Sequence, residues 1–106
     1  MRVLLVEDDE QIASGVQNAL KRKAYQVDWV SDGKHALNAA LDNHFDLIVL
    51  DLGLPGMDGI ETTRRIREGQ AGPEAQHTPV IGLTANAYEE DRQACLDAGM
   101  NEVLTK

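Results

Sequence analysis

The chain has 106 residues with 18 acidic against 10 basic side chains, a formal net charge of −8. That length suits one domain, which buries roughly two-thirds of the surface its unfolded chain exposes. The negative balance argues against non-specific binding to nucleic acid or an anionic membrane, and suits a protein that binds cations or meets a basic partner. One cysteine, Cys95, excludes an internal disulfide and fits a reducing compartment. No apolar run approaches the ~20 residues needed to span a bilayer, and Met1-Arg2 before four apolar residues is too short for a signal peptide. The expected setting is cytoplasmic.

The first apolar run, VLLV (3–6), is compact and β-prone and ends in Glu7, Asp8, Asp9 and Glu10. Ile12, Val16, Ala19 and Leu20 then recur at helical spacing. QVDWV (26–30) alternates, as an edge strand does, and Ala36, Leu37, Ala40 and Leu41 repeat the helical pattern. LIVL (47–50) has the look of a strand buried on both faces. Asp58 with Glu61 three residues later predicts a capping box and a helix through about Glu68. The polar stretch GQAGPEAQHTP (69–79) predicts a loop, and PVIGL (79–83) a strand with Pro79 at its start. Asn86 with Glu89 predicts a second capping box, on a helix ending near the C′ glycine Gly99. NEVLT (101–105) is a weaker fifth strand.

Strict β-α alternation predicts a parallel five-stranded sheet with helices on both faces, joined by right-handed crossovers. In such sheets ligands bind beyond the carboxyl ends of the strands. There the sequence places Glu7 and Asp8 after the first strand, Asp51 after the third, Thr84 after the fourth and Lys106 after the fifth. Three converging carboxylates raise one another's pKa unless a cation neutralises them. Hard oxygen ligands suit Mg²⁺, which takes a few carboxylates and keeps waters. A hydroxyl and an ammonium beside them suit a phosphoryl group, and a carboxylate can be the nucleophile that receives it.

VEDDE (6–10), LIVLDLGLPGMDG (47–59), VIGLTA (80–85) and LTK (104–106), in this order, resemble the receiver domain of two-component response regulators over essentially the whole chain. The resemblance implies a flavodoxin-like doubly wound α/β sheet of order 2-1-3-4-5. It implies that Asp51 accepts a phosphoryl group from a histidine kinase or phosphotransfer domain, with slow self-dephosphorylation rather than enzymatic turnover. Asp8 matches the direct Mg²⁺ ligand and Glu7 the acid that acts through a metal-bound water. Gly53 matches the position whose carbonyl completes the metal site. Thr84 matches the switch hydroxyl, Ala85 the small residue that leaves the phosphoryl open, and Lys106 the lysine that pairs with a phosphoryl oxygen. Pro55-Gly56 suits the turn after the acceptor.

Two departures stand out. Val103 replaces the aromatic that follows the switch threonine in the family, which leaves Tyr88 or the backbone to carry any switch. The family's fifth helix is missing after Lys106, so 1–106 is expected to be a truncated receiver with an open apolar face. That face favours low stability or self-association as a homodimer or inert scaffold. The first half resembles transcriptional regulators, whereas residues 83–106 resemble receivers fused to hybrid kinases. A phosphatase with an aspartyl nucleophile needs a second acid two residues after it, where Gly53 stands. Elsewhere, Asp9 and Glu10 read as a helix start. Arg64, Arg65 and Arg67 read as a solvated face, and His35, His44 and His77 as surface residues. Cys95 and Trp29 read as packing, with Trp29 remote from the site. Leu54 and Met57 are balanced between local packing and a kinase-facing surface.

Overall fold

The computed structural model describes residues 1–54, 56–85 and 89–105, the side chains of Glu89 and Glu90 excepted. Five strands alternate with four α-helices: β1 (Arg2–Val6), α1 (Glu10–Arg22), β2 (Gln26–Val30), α2 (Gly33–Asp42), β3 (Leu47–Asp51), α3 (Gly59–Arg67), β4 (Val80–Thr84), α4 (Glu89–Asp97) and β5 (Glu102–Thr105). The strands form one parallel sheet of order β2-β1-β3-β4-β5, as the alternation predicts, with QVDWV on an edge. Each predicted strand is found within a residue. Pro79 stands just before β4, where its carbonyl accepts from the Ile48 N–H at 2.9 Å. The loop 69–79 contains one 3-10 turn, Ala75–His77.

Side chains alternate across the sheet and split the core in two. Leu4, Val6, Ile48, Leu50 and Val80 pack with Ala36, Leu37 and Ala40 of α2, Ile66 of α3 and Cys95 of α4. Leu54 joins this cluster, and Met57 packs on it while remaining half-buried. On the opposite face Val3, Leu5 and Val49 pack against Ala13, Val16 and Leu20 of α1. Among the described residues α1 is the one helix of this second cluster. Toward β5 the face opens: Leu83 is half-buried, and Leu104, its register partner, is 49% exposed. Two predicted helix positions are turned away. Ala19 is exposed, its place in the stripe taken by buried Ala13, and Leu41 borders a surface groove with Ala71, Gly72 and Pro73.

The helix ends follow local chemistry. Asp9 caps α1, its carboxylate accepting from the N–H groups of Gln11 and Ile12 at 2.9 and 3.1 Å, with Glu10 in the first turn. Asp32 caps α2 and Asp58 caps α3 in the same way. The predicted capping box at Asp58 is half made. Asp58 accepts from the Glu61 N–H at 2.8 Å, but the Glu61 carboxylate turns to Arg65 and Arg64 at 3.0 and 2.9 Å. Two guanidiniums outcompete one backbone N–H, and they hold this carboxyl below its usual range. The other predicted box begins at Asn86, outside the described residues. Gly99 does close α4, at φ +113°, with Met100 N–H donating to the Cys95 carbonyl and Gly99 N–H to Leu96. Helix α1 ends in the same hydrogen-bond pattern, but its left-handed position is Ala24, at φ +66°.

Arg67 does not lie on a solvated face. It is half-buried at the amino ends of β4 and β5, where it donates to the carbonyls of Thr78, Gly99 and Gln76 at 2.7, 2.9 and 3.0 Å and to the Asn101 side chain at 2.9 Å. Desolvation there pushes its pKa down. Arg2 plays a similar part at the amino ends of β1, β2 and β3. Its guanidinium meets Asp28 at 2.6 Å and Asn43 at 3.2 Å and lies over the Phe45 ring, and its backbone N–H donates to Asp46 at 2.8 Å.

Candidate metal and phosphoryl site

The carboxyl ends of β1 and β3 are adjacent because β1 pairs with β3 in register, Val6 beside Leu50. One residue further, Glu7 is wholly buried, Asp8 is exposed and Asp51 is 4% exposed. Each offers a carboxylate oxygen, and these oxygens lie within 4.8 Å of one another. Sequence reasoning expected this convergence, and the register produces it. Around a Mg²⁺ ion at ~2.1 Å, adjacent ligands stand about 3.0 Å apart and opposite ones about 4.2 Å, so the three acids would draw together around such an ion. A hard, oxygen-only donor set with one solvent-facing acid fits that ion and its retained waters.

Local structure explains each position. The Glu7 N–H continues the β1–β2 ladder by one bond, to the Val30 carbonyl at 3.1 Å. Two residues later Asp9 is committed to capping α1, so Asp8 sits between a strand end and a helix start. The four acids thus divide as expected, two at the crevice and two starting the helix. Asp51 is the last residue of β3, and the Leu52 N–H still pairs with the Leu83 carbonyl at 2.9 Å. The chain then turns, and the Gly53 N–H donates to Asp51 Oδ1 at 3.2 Å, which fixes the rotation of that carboxylate. Gly56 takes the positive φ expected of the turn, at +72°, whereas Pro55 lies outside the described residues.

Thr84 ends β4 and is half-buried at the same edge of the sheet, paired in register with Thr105. Ala85 beside it is exposed. Lys106 and Tyr88 lie outside the described residues. Val103 pairs with Gly82 and packs on the larger core cluster. His35, His44 and His77 are on the surface and Cys95 is in the core, as expected, with burial and the Asp91 and Asp58 charges pushing its thiol pKa up.

Two positioning features were not read from the sequence. Gly59 opens α3 directly against the backbone that follows the acceptor: a Cβ there would stand 2.7 Å from the Asp51 carbonyl and 2.9 Å from the Leu52 Cα. The Asp-Gly pair at a helix start was the available signal. The second is Trp29. It is not remote, for its indole Nε1–H donates to the Glu7 carbonyl at 2.8 Å. A side-chain bond of this kind depends on the parallel register that sets Trp29 beside Leu5, which no local pattern announces.

The response regulator receiver domain family model matches residues 3–106. The response regulator protein PmrA of Pseudomonas aeruginosa is 42% identical over all 106 residues, which is 46% of its own length. The transcriptional regulatory protein HprR of Escherichia coli is 41% identical over the same span, 45% of its length. The chain therefore spans less than half of these curated relatives. Among solved structures, the receiver domain of a sensor histidine kinase from P. aeruginosa, with a magnesium ion coordinated in its active-site cleft, superposes with a TM-score of 0.88 at 40% identity. That match covers 99% of this chain and 84% of the other. The chemotaxis protein CheY4 of Vibrio cholerae gives a TM-score of 0.91 at 30% identity, with 99% and 85% covered. Among the described residues no helix is long and apolar enough to cross a membrane.

Proposed function

This chain belongs to the response regulator receiver domains, and from that premise we propose that it is a phospho-acceptor in which Asp51 receives a phosphoryl group from a histidine kinase or phosphotransfer domain. The observation that carries the reading is the convergence of Glu7, Asp8 and Asp51 within 4.8 Å at the carboxyl edge of the sheet. Glu7, Asp8, Asp51 and the Gly53 carbonyl would hold Mg²⁺, directly or through water. When bound, that ion supplies positive charge against the phosphoryl oxygens.

The chain's own residues do the rest. One Asp51 carboxylate oxygen attacks phosphorus, the bond from phosphorus to the donor imidazole nitrogen breaks, and its electron pair stays on that nitrogen. The Gly53 N–H keeps Asp51 Oδ1 oriented. The Thr84 hydroxyl and the Lys106 ammonium take the other phosphoryl oxygens, and exposed Ala85 leaves the acyl phosphate open to water. Slow hydrolysis of that bond returns Asp51, so the chemistry is self-modification and not turnover. Residues 1–106 act as one receiver unit in a cytoplasmic setting, and the open sheet face beside Leu104 is where a homodimer would form.

The test is Asp51→Ala exposed to a cognate kinase or to acetyl phosphate. The variant is expected to lose labelling entirely, and stoichiometric, acid-stable labelling of it would contradict the assignment. Multiple turnover on a small phosphate ester would favour the phosphatase, and an unchanged mass of the folded wild-type protein would favour an inert scaffold.

A further inference from the structure

We propose that Trp29 is a positioning residue of the metal site, its indole latching the Glu7–Asp8 peptide in the orientation that aims the Asp8 carboxylate at Asp51. The inference rests on the metal reading above and extends it to the edge strand β2, which contributes no ligand. The latch is one hydrogen bond, from Trp29 Nε1–H to the Glu7 carbonyl at 2.8 Å. Its leverage comes from the planarity of the peptide. The Glu7 carbonyl and the Asp8 N–H and Cα share one plane, so holding the carbonyl leaves Asp8 little freedom beyond its own φ and χ angles.

The segment is held on every side. Upstream, the Glu7 N–H is tied to the Val30 carbonyl at 3.1 Å. Downstream, Asp9 is tied to the first turn of α1 through Gln11 and Ile12. Between these two, Trp29 adds a restraint on the peptide itself. Without it the Glu7–Asp8 peptide loses the bond that fixes its plane between the strand end and the helix cap, and exposed Asp8 can swing away from Asp51. With it, the acids stay gathered before any ion arrives, which is the preorganisation a weakly held divalent cation needs. Trp29 is itself 37% exposed, and its ring reaches from the register position beside Leu5 to the Glu7 carbonyl.

The test removes the N–H and keeps the ring. In the full chain Trp29 is replaced by β-(3-benzothienyl)alanine, which has sulfur in place of the indole nitrogen. Mg²⁺ affinity is then measured by titration calorimetry, and the urea midpoint in Mg²⁺-free buffer. The latch predicts that the Mg²⁺ dissociation constant rises about three- to tenfold, the worth of one ordinary hydrogen bond. An unchanged constant overturns the proposal, whatever happens to the urea midpoint, because a merely structural tryptophan would move stability and not affinity. If the unaltered protein itself binds no Mg²⁺, the metal reading fails and the latch with it, an outcome distinct from equal binding by both proteins. A measurement on the unaltered protein needs no variant to fold. Trp29 is the single tryptophan, so one indole N–H resonance is expected, protected from exchange with water in Mg²⁺-free and in Mg²⁺-saturated buffer alike. An indole N–H that exchanges freely in Mg²⁺-free buffer contradicts the latch.

Discussion

At the amino ends of the strands, Arg2 and Arg67 reach across neighbouring segments and meet oxygen acceptors. At the carboxyl ends, Glu7, Asp8 and Asp51 crowd within 4.8 Å. The first arrangement joins segments through opposite charges and neutral acceptors. Arg2 joins β1 to β2 and to the residues around β3 through Asp28, Asn43 and the Phe45 ring, and Arg67 ties the ends of α3 and α4 to the starts of β4 and β5. The second gathers like charges beside a buried sheet, where charge is costly. One end of the sheet joins opposite charges, and the other gathers three acids whose mutual repulsion the proposed cation would lower. The two ends should respond oppositely to mutation and to Mg²⁺.

The largest expected effect is at the amino end. Arg67→Ala removes a charged donor from four acceptors and leaves half-buried carbonyls without it, so stability should fall by about 3 kcal/mol in urea unfolding. Mg²⁺ affinity should change little. Arg67→Lys should recover only a minor part, because an ammonium cannot span acceptors set out for a planar fork. A large loss of Mg²⁺ affinity in a folded Arg67→Ala protein would erase the distinction between the ends.

A smaller effect of opposite sign is expected at the end of α1. Ala24 holds a left-handed conformation that α3 and α4 give to Gly69 and Gly99. Ala24→Gly should raise stability by about 0.5–1 kcal/mol with no effect on Mg²⁺ binding, readable as a shift in urea midpoint at constant slope. The smallest effect is in pH. Asp32 has its pKa lowered, chiefly by the His35 backbone N–H that it caps. A carboxyl whose folded pKa is depressed contributes stability above its unfolded pKa and loses it as pH falls through the folded value. The α2 cap should therefore weaken below about pH 4, by tenths of a kcal/mol because Asp32 is near the surface. Asp32→Asn should flatten that part of the stability–pH curve.

Much of this was legible in the sequence because it is local or set by strand order. Short β-prone runs alternating with helical spacing give the topology, and the topology alone carries Glu7, Asp8, Asp51 and Thr84 to one edge. What was not legible depends on register and on long side chains. Arg67 looked like part of a basic face with Arg64 and Arg65, yet its partners lie 9 to 34 residues away in the chain. Trp29 looked like edge packing because its acceptor is a backbone carbonyl on another strand. Glu61 matched a capping box until two arginines on its own helix offered stronger partners. In α1 the periodic pattern was right and the buried stripe shifted, with Ala13 inside and Ala19 outside.

The central claim is that the acidic end trades stability for a cation, and one measurement addresses it most directly: urea midpoints of the protein and of Asp8→Asn, each with and without saturating Mg²⁺. Without Mg²⁺ the variant should be the more stable, by about 0.5–1 kcal/mol, because one of three crowded charges is gone while exposed Asp8 has little packing to lose. With Mg²⁺ at about 100 times its dissociation constant the unaltered protein should gain about 2.7 kcal/mol and overtake the variant. The order of the two proteins reverses between buffers if the account is right. The same order in both, with no stabilisation by Mg²⁺, would contradict it.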